Sequence, residues 1–168
     1  MSIIIKELKT KKDLKKFIRF QYTLYKGNPY WCPPIRMGEM DTLKWGSPSF
    51  DYCDAKYFLA YKENKIVGRV AAIVNKKSNE IWNEKRIRFG WIDFIDDIEV
   101  SSALIKAVEN WGKELGLNEI HGPLGFTDMD NEGMLIKGFE ELSNVFSIYN
   151  YPYYIKHMEK LGFKKDVD

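Results

Sequence analysis

The stretch FIDDIEVSSALIKAVENW, residues 94–111, changes its hydrophobic period partway along. Up to Ile95 the pattern is that of a strand, and alternation assigns Phe89, Trp91, Asp93 and Ile95 to one face. From Ile98 onward Val100, Ala103, Leu104, Ala107, Val108 and Trp111 recur at helical spacing, and Gly116 supplies a stop. A strand turning directly into a long helix is an α/β feature, and such turns hold anions because first-turn N–H groups have no intrahelical partner. This turn carries Asp96, Asp97 and Glu99 instead of glycines or a base. Asp96 and Glu99 have the spacing of a capping box, and acids at a helix N-terminus each gain about 0.3–1 kcal/mol from the dipole. Two readings stand: a capped helix, or an anion site working through backbone N–H groups alone.

Working outward, the chain keeps interleaving strands and helices. Ile3–Leu8 alternates as a first strand. Thr10 stands where an N-cap belongs, and Leu14, Phe17, Ile18, Tyr22 and Tyr25 form one helical face. The segment GNPYWCPPI, residues 27–35, ends that helix. Met37–Phe50 reads as a short helix and a loop. Lys56–Tyr61 and Ile66–Val74 form a hairpin, and a basic connection with a helical turn near Ile81 and Trp82 leads to the strand at Phe89–Ile95. Downstream lie a short strand at Glu119–Leu124, an irregular segment from Gly125, a helix around Met134–Glu141, and a last helix opened by Pro152 and stopped by Gly162. The expectation is one α/β domain over residues 1–168, with a mixed sheet flanked by helices.

Composition narrows the function. At 168 residues the chain can bury a sizeable core, and 45% hydrophobic with 30% charged residues is ordinary for a globular domain. Net charge is +2 with lysines spread along the chain, so no nucleic-acid footprint is expected. No apolar run has the length of a membrane span. Cys32 and Cys53 form neither a metal-type nor a redox-type pair, as in a reduced, cytoplasmic protein. Aromatics reach 15%, which suits either a ring-built core or a groove for an apolar ligand.

Several residues carry chemistry. Asp93, a lone acid between Ile92 and Phe94, is either a general base or a buried acid holding a hydroxyl or backbone group. IYNYPYY, residues 148–154, puts four phenols before the last helix, where they pack or donate a proton. His121 and His157 belong to no spaced ligand set, so no metal is expected. DMDNEG, residues 128–133, starts like a calcium loop but has Phe139 where the twelfth-position acid belongs.

Two segments, ALIKAVENWGKELGLNEI (103–120) and YYIKHMEKLGF (153–163), resemble the GNAT N-acyltransferases. They match the helix that follows the acyl-CoA pyrophosphate loop and the last helix with its Gly-Phe end. LYKGNPYWCPPI, GPLGFTDMDNEG and IYNYPYYIKHMEKLGF resemble uncharacterised bacterial GNAT-like proteins, of which this chain looks like the N-terminal half. The resemblance implies an acyl-CoA (acetyl-CoA) co-substrate and transfer to an unknown small-molecule or other amine. The implied catalytic residues are Asp93 and Tyr154. Trp91, Ile95, Asp96, Asp97, Val100, Ser101 and Ser102 would lie along the acyl-CoA. The alternative is an inactive GNAT-shaped binding or assembly domain, because Asp96, Glu99 and Ser101 replace the family's basic residue and two glycines, and Met158 stands where a tyrosine is common. The family continues past Gly-Phe with two strands, so their absence implies a free sheet edge, which a second copy or a C-terminal segment would cover.

Overall fold

The helix read from residues 98–115 anchors one layer of a three-layer arrangement, seen in a computed structural model that describes residues 2–167. Strands β1 (Ile4–Glu7), β2 (Cys53–Lys62), β3 (Lys65–Asn75), β4 (Arg86–Phe94) and β5 (Glu119–His121) lie side by side in that order. The first four are successively antiparallel, and β5 joins β4 in parallel. Helices α1 (Lys11–Leu24) and α2 (Arg36–Leu43) cover one face. Helices α4 (Ile98–Glu114) and α5 (Tyr153–Lys160) cover the other, while the short α3 (Lys76–Trp82) links β3 to β4.

Local chemistry sets many of the ends. The Thr10 hydroxyl accepts the Asp13 N–H at 3.1 Å and caps α1. Glu63 and Asn64 both take positive φ, +51° and +62°, so β2 and β3 are joined by a tight two-residue turn of the primed kind. The Asn75 side chain starts α3 by accepting the Ser78 N–H. Strand β3 is buried almost end to end because helices cover both its faces. No helix among the described residues is long and apolar enough to cross a membrane.

Three expectations need correction. First, Phe89, Trp91, Asp93 and Ile95 do not share a face. The register slips between Arg69 and Ala71, so Trp91 and Ile92 together oppose Val70, and Trp91 takes φ +43°. This bulge reverses the parity of the strand. Phe89, Ile92 and Phe94 face α4 and α5, while Trp91 packs on Phe126 toward α1 and α2. Second, Met134–Glu141 is not helical. The segment runs in turns with Gly133 and Gly138 at positive φ, and the Asn150 side chain binds both backbone groups of Leu135, at 2.7 and 3.2 Å. Third, α4 is capped by Asp97 rather than Asp96: the Asp97 carboxylate accepts the Glu99 N–H at 3.0 Å.

The feature that creates a site is the parting of β4 from β5. The strands pair over Arg86–Arg88 only. Gly90 and Gly122 then permit a close crossing, since a Cβ on either would lie 2.3 Å from the carbonyl oxygen of Leu124 or Phe89. Beyond it, among the described residues, no strand pairs with the outer edge of β4.

Candidate active site

At that free edge the end of α1, the bulged β4 and the first turn of α5 meet around Asp93. Arg69 on β3 donates from Nε and Nη2 to Asp93 Oδ2, both at 2.7 Å, and from Nη1 to the Phe17 carbonyl at 3.1 Å. Asp93 Oδ1 accepts the hydroxyls of Tyr25 at 2.8 Å and Tyr154 at 3.1 Å, and the two phenol oxygens lie 3.1 Å apart. All four side chains are buried. Burial first, then the Asp93 charge, pushes both phenols well above their usual pKa, so they hold their protons. Asp93 thus holds two hydroxyls, and its Oδ1 lies within hydrogen-bond reach of Tyr154. Its charge is offset by Arg69, as a buried carboxylate requires.

Tyr154 also accepts the Phe94 N–H at 3.1 Å, and Tyr153 donates to the Phe94 carbonyl at 2.6 Å. Two phenols thus take the place of a neighbouring strand at the last residue of β4. The stacking of Tyr154 on Phe94, with ring centroids 4.2 Å apart, fixes this arrangement.

Beside the cluster lies a cavity of about 110 Å³. Its walls mix aromatic and apolar side chains, including Trp31, Trp91, Met134 and Tyr149, with polar ones such as Gln21, Asn131 and Asn150, and the irregular 125–150 segment closes one side. Its charged lining is Asp93, Arg69 and Glu39. Glu39, on α2, accepts Trp91 Nε1 at 3.3 Å and Gln21 Nε2 at 3.2 Å. Sequence reasoning passed over Glu39 because α2 is too short to show a period. Pockets that hold whole small molecules usually measure roughly 300–1,000 Å³, so this space suits the reacting end of a substrate.

The other expected site residues lie apart from this cavity, at the start of α4. Ile95 is half-buried and its N–H binds the Val67 carbonyl. Val100 is fully buried in the core, and Ser102 is exposed. Asp97 caps the helix and pairs with Lys62 Nζ at 2.8 Å, which holds its carboxyl below the usual range. Asp96 Oδ1 lies 2.9 Å from His157 Nε2, and Ser101 Oγ lies 2.8 Å from His157 Nδ1. Aspartate, histidine and serine thus form a chain with the make-up of a hydrolytic triad. Ser101 is fully buried within the first turn and also bonds the Ile98 carbonyl, so the chain works as a clamp between α4 and α5. The N–H groups of this turn meet the Asp97 carboxylate and carbonyl, and no glycine brings the backbone close. Among the described residues no group of three or more His, Cys, Asp or Glu is placed to hold a metal ion.

A mixed five-stranded sheet, flanked by helices and opened between β4 and β5, is the GNAT acetyltransferase fold. It superposes on a tandem GNAT protein from the clavulanic acid biosynthesis pathway with TM-score 0.62 at 9% identity, over 96% of this chain and 43% of that one. An aminoglycoside acetyltransferase from an uncultured soil metagenomic sample gives TM-score 0.57 at 18% identity, over 99% and 95% of the two chains. Among curated proteins the chain is similar to protein YghO of Escherichia coli K12, 33% identical over 165 residues. It is also similar to the bacterial ceramide synthase of Caulobacter vibrioides, 29% identical over 164 residues. The matches take in 98% and 96% of this chain but only 42% of each relative, so the chain spans less than half the length of the curated proteins it matches. No family model matches it.

Proposed function

We propose that the chain carries the transfer site of an N-acyltransferase that moves an acyl group from an acyl-CoA thioester to an amine with apolar parts. The observation that carries this reading is the Tyr154 hydroxyl, bound to the Asp93 carboxylate, on the wall of a cavity at the free edge of β4. The fold supports acyl transfer, and the ceramide synthase relative favours a long-chain amino alcohol as acceptor, a ceramide being its N-acyl amide.

The reaction joins the amine nitrogen to the acyl carbon and breaks that carbon's bond to sulfur; the amine loses one proton and the sulfur gains one. Tyr154, kept neutral by burial, gives its proton to the departing sulfur. Asp93 takes the proton from the amine and returns it to Tyr154 through their hydrogen bond, which resets both groups. Arg69, with two donors on Asp93 Oδ2, holds the carboxylate in place throughout.

Incubation with a long acyl-CoA and a long-chain amino alcohol, followed by mass spectrometry for the amide and a thiol assay, tests this. Tyr154→Phe is expected to slow amide formation at least about 10²-fold, the usual weight of a general acid; losing the acceptor for the buried Phe94 N–H should also cost about 1–3 kcal/mol, so rates are compared well below the variant's melting temperature. Wild-type protein that makes no amide, or a Tyr154→Phe variant that works at wild-type speed, sinks the reading.

A second reading has its own support. The Asp97 cap with Lys62, and the two phenols on Phe94, favour a GNAT-shaped domain that binds or assembles without transferring. Calorimetry with acetyl-CoA and a longer acyl-CoA separates the two, since heat with neither ligand favours the second.

A further inference from the structure

From the charge balance of the cavity we infer that Glu39 is the anchor for the protonated amine of the acceptor. The inference rests on the transfer reading for its choice of substrate and adds to it the group that recognises that substrate.

Three charged side chains line the cavity, two acids and one arginine, which leaves it one negative charge in excess. The two acids differ in how they are satisfied. Asp93 is neutralised by Arg69, which also donates to the Phe17 carbonyl. Glu39 is held only by neutral donors, the Trp91 indole and the Gln21 amide, and has no ion-pair partner among the described residues. Arg36, one turn earlier on α2, stands over the Tyr22 ring at 4.3 Å rather than on Glu39. A half-buried carboxylate facing an aromatic cavity without a cation attracts one from solution. An ammonium group supplies the charge and up to three donors, and aromatic walls add attraction for it.

The bulge gives this arrangement its geometry. Trp91 sits at φ +43°, a backbone state that a bulky residue adopts only when its surroundings impose it. In that state its indole lies on Phe126 and its Nε1 reaches Glu39. The same irregularity that turns Asp93 toward Tyr154 therefore also orients the Glu39 carboxylate, and both groups line one small cavity. An ammonium held on Glu39 is kept beside the Tyr154–Asp93 pair; it gives its extra proton to the Glu39 carboxylate, which passes it to solvent, and enters the transfer as the neutral amine, which then loses one proton to Asp93.

Calorimetry with octylamine and with octanol, its neutral counterpart, tests the inference on wild type and Glu39→Gln. Glutamine keeps the shape and one acceptor for Trp91 while removing the charge. Wild type is expected to bind the amine about tenfold or more tightly than the alcohol, and Glu39→Gln to lose that preference with alcohol binding unchanged. Glu39→Asp is expected to restore part of the preference, a readout that a purely structural role would not give. Equal amine binding by wild type and Glu39→Gln, or no amine preference in wild type, overturns the inference. Amine binding that depends on Glu39 supports it even if no amide is ever made, which sinks only the transfer reading. Wild-type amide formation by Glu39→Gln overturns it and leaves transfer standing.

Discussion

Replacing Arg69 by methionine strips the cation from a carboxylate that remains buried. The side chains of Arg69 and Asp93 are only 4% and 9% exposed, so water cannot take over the lost partner. Removing one member of a buried pair costs about 3–5 kcal/mol. The Phe17 carbonyl loses its donor as well, which adds about 1 kcal/mol. At about 2–4 °C per kcal/mol for a domain of this size, the melting temperature should fall by roughly 8–24 °C. The informative comparison adds Asp93→Leu and the Arg69→Met/Asp93→Leu double variant, all followed by tryptophan emission during urea unfolding. Once both charges are gone, the phenols of Tyr25 and Tyr154 can still bond each other, so the double variant should be more stable than the sum of the singles by at least about 2 kcal/mol. A loss below about 1 kcal/mol for Arg69→Met, the value of an exposed pair, would refute this account of the cluster. So would strict additivity.

Gly90→Ala should destabilise by about 1–3 kcal/mol, because its Cβ would sit 2.3 Å from the Leu124 oxygen and the crossing of β4 with the chain after β5 must open. Gly38→Ala, inside α2 with nothing within 4 Å, should instead stabilise by roughly 0.5–1 kcal/mol, and thermal melts of the pair check both signs. The cysteines should separate under alkylation: Cys53 is fully buried and burial pushes its thiol up to about 11, whereas Cys32 lines the cavity. Native protein should take up one equivalent of label at Cys32, which octylamine should slow, and the second only on unfolding; equal rates at both thiols in the native state would count against the described burial.

What could be read from the residues was what short-range chemistry decides. The Thr10 cap, the hairpin, the apolar stripe of α4 and the Pro152 and Gly162 boundaries of α5 each depend on residues within a turn or two of one another. The β4 bulge left no mark on the hydrophobic alternation, and with it went the true facing of Phe89 and Trp91. Choosing between Asp96 and Asp97 as the cap needed Lys62, which reaches the turn from the end of β2. Asp93 stood out as a lone acid among apolar neighbours, but its partners Arg69 and Tyr25 lie 24 and 68 positions away. Glu39 had no local signal at all, because its meaning comes from a cavity assembled by α1, α2, β4 and the 125–150 segment.

That last segment has a consequence for how this molecule can diversify. It is anchored by Phe126, fully buried against Trp91 with its carbonyl accepting Asn75 Nδ2 at 2.9 Å; beyond Phe126 it meets the body through a few hydrogen bonds, among them Ser143 with Tyr30 and Cys32 and Asn28 with Tyr149, and it contributes no strand to the sheet. Residues between those ties can be lengthened, shortened or exchanged without disturbing a single rung of the β-ladder. The choice of which molecule enters is thereby set apart from the sheet, and the turns between Phe126 and Ser147, though not the core residue Phe126 itself, are the interchangeable panel through which a new acceptor would be admitted.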